Sequence, residues 1–189
     1  DVYTTHPYNP SSSENFKYLK AIDQSSNTNY YTDANGDVDF GTVASGTSIQ
    51  YKLEGLYADV QTNNNTPDIF ANLGATNTII FDNSTNSTIQ ERTAYYAVNM
   101  IHDHLKSVFP TFTGLDSPLE TNVDEQGSCN AFFSAWPSPS INFYAEGNGC
   151  QATAKIPDVA YHEYGHAINN ARYNSGSGMD NGAMNEGFA

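Results

Sequence analysis

The chain has 189 residues, 38% of them hydrophobic, enough for one compact domain with its own core and too many for a disulfide-built miniprotein. Seven Lys and Arg against 21 Asp and Glu give a formal charge of −14, so nucleic acid and other polyanions are repelled, and no local basic patch offsets this. No stretch approaches the roughly 18 consecutive apolar residues of a membrane span. The start, Asp1-Val2-Tyr3-Thr4-Thr5, has neither the basic opening nor the apolar run of a signal peptide, so the sequence reads as a soluble chain, compatible with prior processing.

Only 15% of the residues are charged, whereas Asn, Ser, Thr and Gly are abundant and Tyr alone numbers 13, a mixture that favours strands and turns over long surface helices. Acidity combined with a hydroxyl- and amide-rich surface points to a secreted, extracellular protein. Cys129 and Cys150 enclose 20 residues. A disulfide is favoured over two free buried thiols because nothing places them as metal ligands, and its closure would stabilise the fold by about 3 kcal/mol. Asn64, Asn83 and Asn86 each begin an N-x-Ser/Thr sequon, a weak signal in so Asn-rich a chain.

In chain order, residues 1–86 carry short apolar runs between polar turns and are expected to be strand and loop. Ile49, Tyr51 and Leu53 alternate with Gln50, Lys52 and Glu54, the period of a half-buried strand, and Thr78-Ile79-Ile80-Phe81 is a second candidate. Asp33-Ala34-Asn35-Gly36-Asp37 clusters oxygen side chains around a glycine without the spacing or terminal Glu of a calcium loop, so a plain turn is expected.

The texture changes in 87–189. Thr88 and Glu91 form a capping box ahead of Ala94, Tyr95, Val98, Ile101 and Leu105, predicting an amphipathic helix that ends near Lys106. His102 and His104 on it point about 200° apart and cannot hold one metal together. Two aromatic-rich extended runs follow, Cys129 to Phe133 and Ser140 to Tyr144, and the prolines flanking Ser138 make this an edge or turn region.

Pro157 to Ile168 contains His162-Glu163-Tyr164-Gly165-His166, an H-E-x-x-H pattern opened by Asp158, which can cap a helix. Four residues is close to one helical turn, so His162 and His166 share a face and can share a metal, while Glu163, rotated by about 100°, can reach a water beside it. The alternative is a helix whose histidines and glutamate face solvent or each other. A catalytic zinc site needs three protein ligands and an open position, and Glu186, 20 residues after His166 in a stretch that reads as a second helix, completes the set.

With these residues in view, the sequence resembles the gluzincin zinc metallopeptidases, the thermolysin-like group, and most of all their secreted fungalysin-type branch. The resemblance lies in His162 to His166, in Asn185-Glu186-Gly187-Phe188-Ala189 and in Asn130-Ala131-Phe132, and covers about residues 88–189. It implies Zn2+ on His162, His166 and Glu186, with Glu163 as general base. It further implies that Asn185 orients a zinc histidine. Asn130 and Ala131 would lie on the strand that pairs with substrate. Asp158 matches a calcium-binding position, an assignment that helix capping explains equally well. There are two departures. The stretch 174–179 contains no Tyr where the thermolysin branch has a stabilising one. The chain also ends at Ala189, before the family's further Asp and its helical second lobe.

The expectation is an α+β fold, residues 1–189 forming the single N-terminal lobe of a secreted zinc endopeptidase, with a β-rich portion (1–86) and a portion carrying helix, substrate-edge strand and zinc helix (87–189). Its partners would be a polypeptide substrate and a helical lobe supplied in cis or as a second chain. The rival is an extracellular structural or assembly domain on the same fold, with zinc structural or absent, and a third reading is a fragment of a longer protein.

Overall fold

The computed structural model describes residues 1–74, 78–84, 87–173 and 182–189. Its architecture is α+β: one mixed eight-stranded sheet carries two long helices, with a short third helix at the end. β1 (Leu19–Asp23) pairs antiparallel with β2 (Thr28–Tyr31) and with β3 (Ser48–Gly55), whose other side takes β5 (Asp68–Asn72) and, at Glu54, β4 (Ala58–Gln61). β4 then runs parallel to β6 (Leu119–Glu125), and β6 parallel to β8 (Ser140–Tyr144). β7 (Ala131–Ser134) closes the order as the edge strand, antiparallel to β8. A parallel pair cannot be joined by a tight turn, and α1 (Ile89–Val108) is the crossover that carries the chain from β4 to β6.

The alternation at Ile49, Tyr51 and Leu53 is realised in β3, where every second residue is buried. The turn at Asp33 is also as expected: its carboxylate accepts the N–H groups of Asn35 (2.7 Å) and Asp37 (3.0 Å), and Gly36 takes φ +84°, a conformation that favours glycine. Thr78–Phe81 is not a strand. The edge of β3 that it would need is held by β5, and Phe81 instead inserts into the core edge-on to Phe16, with ring centroids 6.0 Å apart. Of the sequons, Asn64 is exposed in a turn and Asn83 accepts a hydrogen bond from Arg92 at 3.1 Å. Asn86 and the stretch 174–179 lie outside the described residues.

α1 begins as its capping box dictates. The Glu91 carboxylate accepts the Thr88 N–H at 2.6 Å, and the Thr88 hydroxyl accepts the Glu91 N–H. Its inner face contributes Tyr95 and Val98 to the same buried cluster as Leu53, Val60 and Phe143 of the sheet. α2 (Pro157–Tyr173) lies against α1 and against β7 and β8, seated by Tyr164, which is wholly buried. Beside it, His102 is buried, stacked on Tyr57 at 3.5 Å and paired through Nε2 with Asp116 at 3.2 Å, while His104 is exposed. Cys129 and Cys150 form a disulfide, with Cα atoms 5.2 Å apart, compatible with an oxidising compartment. Among the described residues no helix is long and apolar enough to cross a membrane.

Two outcomes follow from this frame. Thr88→Ala removes one half of the cap and should lower the stability measured by denaturant unfolding by about 1 kcal/mol. Burial lowers the pKa of His102, against the opposing pull of Asp116. The unfolded chain therefore binds more protons than the folded one just below the unperturbed value of about 6.5, and the contribution of neutral His102 is lost as pH falls through that range. His102→Phe, which keeps the stack on Tyr57, should show a shallower loss of stability between about pH 7 and 5 than the unaltered protein.

Candidate metal centre

α2 starts with Pro157 at its first helical position, where a missing N–H is harmless. Asp158 is therefore not the helix cap. It sits one residue inside the first turn, where its charge complements the helix dipole, and it makes no side-chain hydrogen bond or ion pair among the described residues. From there Asp158, Val159, His162, Glu163 and His166 recur on one face of α2 and floor an open cleft of about 690 Å³, whose wall includes Asn130 and Ala131. The end of the chain brings in Asn185 and Glu186, from α3 (Gly182–Phe188).

His162 and His166 meet at Nε2, 3.2 Å apart, with their rings nearly perpendicular. The Glu186 carboxylate lies 3.3 Å from the first nitrogen and 3.6 Å from the second. These three are the one group of at least three possible ligands among the described residues, all ligand atoms lying within 4.8 Å of one another. A tetrahedral centre with ligand bonds of about 2.0–2.2 Å has ligand-to-ligand edges of about 3.3–3.6 Å, so the three atoms are spaced as one face of such a centre. A donor set of two imidazoles and one carboxylate is one that a divalent transition-metal ion accepts. Asp158 belongs to no group of three or more possible ligands among the described residues.

Glu163 stands apart from the triad by environment. It is buried, while Glu186 is two-thirds exposed, and burial pushes the Glu163 carboxyl up, against the opposing effect of the His166 and His162 imidazoles. Tyr144 N–H donates to the Asn130 carbonyl, so Asn130, Phe132 and Ser134 turn their main chain toward β8, and by alternation Ala131 and Phe133 turn theirs toward the cleft. Asn130 also accepts from the Thr153 hydroxyl at 3.0 Å. Its carbonyl is thus committed to the fold, and Ala131 is the residue whose main chain faces the cleft.

Asn185 does not reach a histidine as the resemblance implies. Its backbone and side-chain oxygens accept from Asn169 Nδ2, at 3.3 and 3.1 Å, and the buried Nδ1 of His166 is without a partner. The buried Asn169, three residues beyond His166 on the same face of α2, is the site residue that sequence reasoning missed; its spacing, one further step along the histidine face, was the available signal. It ties α3 to α2. Gly165 assists from its own position, since a Cβ there would overlap the backbone of Ala189. No protein-family model matches the chain, and neither does any curated protein.

Because Asn169 places Glu186 by way of Asn185, Asn169→Leu should weaken zinc binding by about 10- to 100-fold, measured by competition with a chromogenic chelator. Thermal unfolding of the metal-free variant should change far less than that of Tyr164→Ala.

Proposed function

We propose that this chain carries the catalytic lobe of a secreted zinc endopeptidase of the gluzincin type. The observation that supports it best is the convergence of His162, His166 and Glu186 in one cleft with a separate, buried carboxylate, Glu163, and an exposed strand edge. His162, His166 and Glu186 would hold the ion. Zinc, when bound, supplies Lewis acidity that polarises a carbonyl and makes water acidic near neutrality.

The remaining work falls to the chain. An extended peptide adds to the free edge of β7, held by the main chain of Ala131, so recognition of backbone outweighs recognition of sequence. Glu163, buried in the cleft floor, takes the proton of the attacking water and returns it to the leaving nitrogen. A helical second lobe, in cis or as another chain, would cover the open side: none of the residues of α3 is buried, and Phe188 is 66% exposed.

The test separates base from ligand. With an unstructured protein as substrate, Glu163→Gln should lower turnover by at least about 100-fold at unchanged zinc content, whereas Glu186→Ala should lose zinc itself. Zinc-loaded protein that cleaves nothing across varied unstructured proteins and peptides would favour the structural, assembly-domain reading. Unchanged hydrolysis in Glu163→Gln would remove Glu163 as the base.

A further inference from the structure

We infer that a second cavity binds a small aromatic amine whose ring end carries a hydrogen-bonding group; the inference is independent of the endopeptidase reading above. The cavity holds about 570 Å³, within the range of small-molecule sites, and shares no described lining residue with the metal cleft. It lies where residues from 13–16, 35–40 and 78–81 surround Leu19 of β1 and Tyr51 of β3. Phe16, Phe40, Phe81, Val38 and Leu73 give it apolar walls. The rings brace one another: Phe16 meets Phe81 edge-on, and Phe40 meets Tyr51 edge-on with centroids 6.4 Å apart.

Tyr51 sets what the buried end of the ligand must carry. It is 4% exposed and lines the cavity, yet its hydroxyl makes no hydrogen bond among the described residues. Unlike the Tyr164 hydroxyl, which is sealed in the core, it keeps an accessible face, and the cavity is where that face opens. A hydroxyl held away from bulk water without a partner costs free energy that a polar group on a ligand recovers. Burial raises the pKa of Tyr51, so the hydroxyl stays protonated at neutral pH and can donate. Charge sets the other end. Glu14 and Asp37, both exposed, stand at the solvent side together with Asp1, and no described lining residue is Lys, Arg or His. Even with the α-amino group of Asp1 counted, carboxylates outnumber ammonium groups three to one. The backbone N–H of Asp37 is fixed by the Asp33 carboxylate at 3.0 Å, while its own carboxylate makes no hydrogen bond or ion pair among the described residues. A ligand that fits all of this puts its ring between the apolar walls, its ring substituent on the Tyr51 hydroxyl and its ammonium group, still partly hydrated, beside Asp37 and Glu14. An anion of the same shape meets like charge at the mouth.

The experiment uses the whole chain and three probes: tyramine, phenethylamine, which lacks the ring hydroxyl, and desaminotyrosine, which carries a carboxylate in place of the ammonium group. Dissociation constants come from ligand-observed NMR titration at low ionic strength. Tyramine should bind saturably with a Kd of about 1 mM or tighter, about three- to tenfold tighter than phenethylamine and at least about tenfold tighter than desaminotyrosine, the second ratio shrinking as salt is raised. Tyr51→Phe removes only an unpaired hydroxyl, so thermal unfolding should be unchanged while the difference between tyramine and phenethylamine disappears. Asp37→Asn should narrow the gap between tyramine and desaminotyrosine and leave that first difference in place. No saturable binding of tyramine up to about 10 mM overturns the inference, as do equal affinities for the three probes or unchanged ratios in either variant. None of these measurements reads hydrolysis, so the endopeptidase reading stands or falls separately.

Discussion

A helix with 3.6 residues per turn can bring two histidines four residues apart to within 3.2 Å at their ring nitrogens, but it cannot supply a third donor at a similar distance on the same side. The third must come from elsewhere in the chain and be held against α2 to within a fraction of an ångström. Much of the site follows from that constraint. α3 has seven residues and no buried face, so it has almost no stability of its own and takes its place from α2. The amide of Asn169 and the bare backbone at Gly165 supply that place. α2 is itself anchored by Tyr164, between the two histidines in sequence, which is wholly buried in the core, and by its contacts with α1, β7 and β8.

Seen from this constraint, the parts of the fold legible in the sequence are those set by local period. The alternation in β3, the capping box of α1 and the one-turn spacing of His162 and His166 each follow from geometry internal to a single element. Features settled between elements were harder to read. Thr78–Phe81 has strand composition and lost its partner to β5. Asp158 resembles a cap until Pro157 is seen to occupy the first helical position. Asn185 was expected on a histidine, and its bond to Asn169 depends on how α3 lies across α2, which no periodicity encodes. The candidate metal-binding triad was legible because such a site needs rare residue types at fixed separations, whereas Asn169 is one of many asparagines in this chain.

The two glutamates of the cleft show how environment divides chemistry between identical side chains. Glu186, two-thirds exposed on a helix with no buried residue, sets its carboxylate against both imidazoles, where a metal ligand would stand. Glu163 is buried, and the desolvation that raises its proton affinity is opposed by the His166 and His162 imidazoles. Separating the proton affinities of two carboxyl groups by burial is a general way to give them different roles at one pH. The same edge strand, β7, turns the main chain of Ala131 toward the cleft that Glu163 lines. Under the proposed function an incoming backbone would be registered against an element that borders the proposed base, and a shift of β7 would change both surfaces together. An edge strand beside the helix of His162 and His166 thus brings a free backbone edge and a buried carboxylate into one cleft.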